Sequence, residues 1–327
     1  MSGSGSASEK KRIFEVVCPG CGKRLRIGRD VKLIEVEEGE SDAGLFAERD
    51  EAFREKIVER ILAKNYEVPL LPHVALRVMR LTGDASVSMQ DMAKVILTDQ
   101  GISSRILQIA NSPVYGAAVE IQTISQALVR LGQNEVKNLM LAISMHSRIF
   151  KSAVYKKLAQ QLWEHSIAVA FAARVVANAL RLPREEAFLA GLMHDVGKMV
   201  LLTIMESAQK LVAPGFMPSD RTVHAILAQY GADVGEMVAK SWDMPHHMAD
   251  AIARMPHLHE MREAAPETAA VALANDIAVI RGIGPDRAEI ALVDTPGARL
   301  LNLSVEACDE LLVRFDQIHE QARGVFL

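Results

Sequence analysis

From residue 53 onward, apolar residues recur at three- and four-residue spacing, the period of a helix with one buried face. Phe53, Ile57 and Ile61 line one such face, and that helix ends before Pro69. Each proline in Val68-Pro69-Leu70-Leu71-Pro72 biases the residue before it away from the α region, so this stretch reads as extended. Pro72 then suits the first turn of the next helix. Ser88-Met89-Gln90-Asp91 resembles a capping box, and Asp99 is a second N-cap ahead of Ile102, Ile106 and Ile109. Asn111 reads as a helix-to-loop cap, and Gly132 ends a helix that begins near Thr123. Another helix runs from Asn134 to about Phe150, and Pro183 starts the helix that carries Ala187 to Met199. Further helices are expected at about 221–240, 246–254, 266–281, 285–292 and 304–323. The stripes predict one shared core for Leu70, Leu71, Val78, Ile96, Ile106, Ile109, Leu128, Leu131, Leu139 and Ile143.

The N-terminal stretch has a different period. Arg24-Leu25-Arg26-Ile27 alternates, Gly28-Arg29-Asp30 is a turn, and Val31 to Val36 is rich in β-branched residues. Charge also changes sign here. Glu9 to Lys32 holds eight basic and three acidic residues, and Glu35 to Glu55 holds nine acidic and two basic. The expected organisation is a tail (1–11), a small β knuckle (12–37), an acidic linker (38–48) and a helical domain (49–327). The last divides into bundles at 49–152 and 153–327.

Composition narrows the class. Few aromatics and abundant Ala, Leu, Val and Met favour a mainly α fold. A net charge of −4 gives no global case for nucleic-acid binding. The first residues lack the apolar core of a signal peptide, and no uninterrupted apolar run approaches membrane-spanning length. A cytoplasmic setting without membrane contact is expected, where three cysteines do not form a disulfide framework.

The densest chemistry lies in Gly191-Leu192-Met193-His194-Asp195-Val196-Gly197-Lys198. A buried carboxylate must be paired, hydrogen-bonded or metal-bound. Imidazole and carboxylate suit the same divalent ions. The adjacent His246-His247 follows a proline at a helix start and reads as exposed; His73 and His224 read as surface or packing residues.

Several stretches together resemble the HDOD domain, the HD-related output domain of bacterial signalling proteins. They are Val68 to Pro72, Ile106-Leu107-Gln108-Ile109-Ala110-Asn111-Ser112, Tyr115-Gly116, Ile124 to Gly132 and Asn134 to Met140. In the second half they are Trp163-Glu164-His165-Ser166, Phe188 to Lys198 and Trp242-Asp243-Met244-Pro245. The resemblance covers roughly residues 50–320. It implies a helical N-terminal bundle followed by an HD-like helical bundle, and a regulatory rather than catalytic role. The HD superfamily's His…His-Asp…Asp set, carried over, falls on His165, His194, Asp195 and Asp276, with Lys198 as the lysine after the pair. This set would hold one divalent metal, or would satisfy itself as a buried polar cluster. A two-metal phosphodiesterase of the HD-GYP type needs more histidines. None stands near Gly231 to Gly235, and Met255-Pro256 occupy the place of an adjacent pair, with His257 and His259 out of register.

Cys18-Pro19-Gly20-Cys21-Gly22 resembles a zinc-ribbon knuckle. Two thiolates are half of a zinc site, so either the knuckle is empty or two chains share one zinc in a homodimer. Lys23, Arg24, Arg26 and Arg29 are a solvated face or a contact for an anionic partner. The expected function is a non-enzymatic regulatory module acting through contacts with signalling proteins. Two alternatives are a mononuclear metal-dependent phosphohydrolase, using His165, His194, Asp195, Lys198 and Asp276, and a nucleic-acid or partner-docking protein led by the basic ribbon.

Overall fold

The computed structural model describes residues 14–17, 24–27, 43–63, 68, 73–82, 88–116, 119–148, 152–212 and 216–326. Strands β1 (Phe14–Val17) and β2 (Arg24–Ile27) pair antiparallel, with Phe14 opposite Ile27. Cys18, Cys21 and Val31 to Val36 lie outside the described residues, as do Leu70 and Leu71.

The rest of the described chain is helical. The first group is α1 (Ala43–Leu62), α2 (His73–Thr82), α3 (Met89–Ile96), α4 (Gln100–Ala110), α5 (Ile124–Leu131) and α6 (Gln133–Arg148). The second is α7 (Lys156–Leu180), α8 (Arg184–Met193), α9 (Val196–Val212), α10 (Asp220–Ser241), α11 (His246–Arg254), α12 (Pro266–Ile280), α13 (Pro296–Leu300) and α14 (Val305–Phe326). Local chemistry sets the ends. The Ser88 and Asp99 side chains cap the backbones of Asp91 and Ile102, and Thr123 and Gln126 form a full capping box. Asn111 caps α4 and exchanges two hydrogen bonds with the Ile121 backbone at 2.8 and 2.7 Å, closing the loop that follows.

Helices α2 to α6 enclose one core, in which Val78, Ile96, Ile106 and Leu128 are buried and Leu131 and Ile143 pack at the margin. Ile109 and Leu139 are equally buried, but they face the larger core built on α7 to α11. Helix α1 joins that larger core too: Phe53 and Ile57 are fully buried in it, and Arg54 donates to the Gln229 side chain on α10 at 2.8 Å. A third core lies between α7, α12, α13 and α14. Ile106 has no solvent exposure, so Ile106→Ala should lower unfolding free energy by about 2–5 kcal/mol in a urea titration.

Two expected elements differ. The helix expected at 285–292 is a loop that ends in a short 3-10 turn, Leu292–Asp294. Just ahead of it Gly282 and Gly284 take positive φ (68° and 106°), which suits a turn and not a right-handed helix. The helix from Pro183 does not run on to Met199. It stops at Met193 and restarts at Val196, placing His194 and Asp195 at the junction. Together Arg184–Val212 is long and apolar enough to cross a membrane by length and composition, contrary to expectation. Its most apolar window is 83% buried inside the protein, so that apolarity is spent on the core.

Candidate functional site

The junction between α8 and α9 has a local cause. The His194 Nδ1 donates to the Gly191 carbonyl at 2.7 Å. In a continuous helix that carbonyl would accept the Asp195 amide, so the imidazole competes with the helix ladder. The Lys198 amide then bonds the Asp195 carbonyl, and a new helix begins. Two close approaches hold the junction in place. Gly191 lies so near α7 that an added Cβ would sit 2.8 Å from the Val169 carbonyl oxygen. Gly197 lies so near α10 that its Cβ would sit 2.0 Å from the Gly231 oxygen and 2.3 Å from the Gly235 nitrogen.

His165 on α7 projects toward the same point. The His165 and His194 rings meet edge to face, 5.1 Å apart. One ligand atom each from His165, His194 and Asp195 lie within 4.8 Å of one another, and all three residues are buried. The Lys198 ammonium bonds Asp195 Oδ2 at 2.9 Å. Burial works against the charges of this pair. For Asp195 the neighbouring His194 and Lys198 outweigh it and hold the carboxyl well below the usual range. For Lys198 the Asp195 carboxylate outweighs it and raises the pKa.

The ring nitrogens decide what the pocket can hold. With Nδ1 directed at the Gly191 carbonyl, His194 turns Nε2 into the pocket. That atom is buried without a hydrogen-bond partner, 3.4 Å from Asp195 Oδ2. Burial, with His194 beside it, pushes the His165 pKa down to about 4, so this ring is neutral at pH 7. Its Nδ1 donates to the Ile283 carbonyl at 2.9 Å, and its Nε2 lies 3.0 Å from Asn275 Oδ1. Two acceptors then face each other, which either a turned Asn275 amide or a cation between them relieves. A backbone carbonyl fixing the far nitrogen of each imidazole is the usual support of a metal-ligating histidine.

Asp276 does not join this group. Successive helical residues point about 100° apart, and α12 turns Asn275 to the pocket. The Asp276 carboxyl instead lies beside the Thr295 hydroxyl, with burial pushing its pKa up to about 6. The loop after α12 is equally unforeseen: Ile283 supplies the carbonyl, and a Cβ on Gly284 would sit 2.7 Å from His165 Cβ. Gly284 adjoining Pro285 was the available signal. His246, His247, His257 and His259 are exposed, as are His73 and His224.

The HDOD domain profile matches residues 68–258, more than half of the chain. The chain belongs to the HDOD family. A solved HDOD domain protein of unknown function from Geobacter sulfurreducens shares 23% identity, covers 83% of this chain and 97% of its own, and superposes with a TM-score of 0.66. A Shewanella amazonensis SB2B protein, named a candidate metal-dependent phosphohydrolase, has TM-score 0.69 and 22% identity over 86% of this chain and all of its own. An uncharacterized Treponema pallidum (strain Nichols) protein is 23% identical over 267 residues. The chain spans about half that relative's length (51%). These likenesses establish the HDOD fold.

Within this HDOD domain, the low His165 pKa has a measurable consequence. The folded state prefers the neutral ring, so the stability it contributes is full above about pH 6.5, the unfolded value. It is lost as pH falls through about 4. The stability of wild type relative to His165→Gln should therefore drop by about 3 kcal/mol over that window. Urea titrations of both proteins at several pH values check this, and a constant difference would show that the ring is not held neutral.

Proposed function

We propose that this protein is a regulatory module of signal transduction that acts through contacts with other proteins. In this reading its HD-type pocket takes one divalent cation and performs no phosphodiester hydrolysis. One observation supports it: among the described residues the pocket gathers three metal-capable donors, from His165, His194 and Asp195. A two-metal clamp on attacking and leaving oxygens needs more ligands than these.

The three donors suit one ion. His165, His194 and Asp195 would hold it, and the partnerless His194 Nε2 supports this assignment. A bound ion would supply a Lewis-acid charge and added fold stability. The protein's own groups do the rest: Gly191 and Ile283 fix the imidazoles, and Lys198 keeps Asp195 ionised. Signalling proteins in the cytoplasm remain the proposed partners, and a zinc shared between two Cys18–Cys21 knuckles remains the proposed route to a dimer.

The test is a hydrolysis screen of the full chain with manganese or iron, using cyclic dinucleotides, nucleotides and simple phosphodiesters. No turnover above the metal blank is expected. Turnover abolished by Asp195→Ala would instead establish a mononuclear phosphohydrolase, the reading favoured by an ammonium 2.9 Å from a candidate metal ligand.

A further inference from the structure

A second buried polar group ties the N-terminal helices to the HD-like half. Glu135 on α6 is 4% exposed and receives two hydrogen bonds from Arg174 on α7, at 2.6 and 2.5 Å. The Tyr115 hydroxyl, in the turn after α4, also donates to Glu135. Glu185, in the first turn of α8, places Oε2 3.6 Å from the same guanidinium, with no hydrogen bond from a neighbouring donor. The Arg174 guanidinium stacks on Phe188, 4.3 Å from the ring centre. Asn138 on α6 donates to the Glu185 carbonyl at 2.9 Å, a second tie between the same helices. Two carboxyls therefore share one guanidinium: Glu135 is buried, and Glu185 keeps its Oε2 buried although its side chain is 35% exposed. Both ionised, they leave a net negative charge there, which is costly at low dielectric. One shared proton removes the imbalance.

We propose that Glu135, Arg174 and Glu185 form a proton-dependent latch between the two helical halves, closed while the carboxyls share a proton and loosened when it leaves. The inference is independent of whether the HD pocket holds a metal. Burial, the hydrogen bond to Glu135 and its negative charge push the Glu185 pKa up to about 7. Burial opposes ionisation of Glu135 too, but the bond from Glu185 and the Arg174 charge outweigh it and keep its pKa low. The other charged groups facing the latch are few. Lys137 on α6 lies near Glu185 and Glu186, and burial lowers its pKa. Arg184 adjoins Glu185, and His247 on α11 lies 3.5 Å from Glu186. Glu185 holds its proton more tightly in the folded state than an ordinary carboxyl, which titrates near 4.5. Its contribution is therefore full below about pH 4.5 and is lost as pH rises through about 7. Helix α8 runs from this latch directly to His194, so loosening it alters the support of the pocket.

Hydrogen exchange of the full chain between about pH 5 and 8, corrected for the chemical exchange rate, tests the latch. Protection of α6 and α8 in wild type should fall by up to about 10-fold per pH unit as pH rises towards about 7 and level off above it, while α12 and α14 hold. Glu185→Gln keeps the shape without a titrating proton and should be flat across this range. Glu135→Gln removes the like charge, so the transition should move down by more than about one pH unit. Wild-type protection of α6 and α8 independent of pH, Glu185→Gln with the wild-type dependence, or an unmoved transition in Glu135→Gln would each overturn the proposal.

Discussion

Gly197→Ala should cost the fold at least about 3 kcal/mol, the upper end of what overpacking does. The added Cβ would meet the Gly231 oxygen at 2.0 Å and the Gly235 nitrogen at 2.3 Å. Both are backbone atoms in the middle of α10 and cannot rotate aside. Relief requires α9 and α10 to separate, which opens the core around Val200, Val234 and Val238. Gly231→Ala meets a different neighbour, the flexible Lys198 Cγ at 2.9 Å, and should cost clearly less. Gly101→Ala, whose nearest neighbour is the Asp99 carboxylate at 3.3 Å, should fall within about 1 kcal/mol of wild type. Urea titration of the three variants gives the order. A Gly197→Ala midpoint equal to wild type would mean that the helices do not cross at contact.

Asp195→Asn should be the other severe change, costing about 2–4 kcal/mol. It keeps the side chain's size but leaves Lys198 without its anionic partner, and it removes the only carboxylate among the three candidate ligands. The Lys198 side chain retains 26% exposure, so part of the penalty escapes as the ammonium swings toward water. A double-mutant cycle separates the pair from the rest. Lys198→Met should also destabilise, by leaving Asp195 buried and unpaired, and Asp195→Asn with Lys198→Met should cost less than the sum. Strict additivity in urea unfolding would contradict the pairing.

Much of the helical architecture was legible because periodicity and capping report local physics. Ser88, Asp99, Thr123, Asn111 and Gly132 each mark a boundary by satisfying backbone groups that a helix end leaves open. Three of the HD-type residues also converge as the resemblance implied, since His165, His194 and Asp195 are brought together by α7 and the α8–α9 junction. What remained hidden depends on contacts distant in sequence. Choosing Asn275 over Asp276 requires the rotation of α12 about its axis, which an apolar helix buried on nearly every side does not reveal. The break at His194 comes from one side chain capturing the Gly191 carbonyl. The latch joins residues 115, 135, 174 and 185, each of which reads alone as an ordinary solvated polar position.

The measurement that bears most directly on a single-metal regulatory pocket is metal uptake by the full chain. Apo-protein should be titrated calorimetrically with manganese and with zinc, with elemental analysis of the dialysed complex. Wild type, Cys18→Ser and His194→Ala should be compared, so that the N-terminal thiols are counted separately. One equivalent of manganese per chain, unchanged by Cys18→Ser and lost in His194→Ala, is the predicted result. Two equivalents per chain, or uptake that survives His194→Ala, would contradict it.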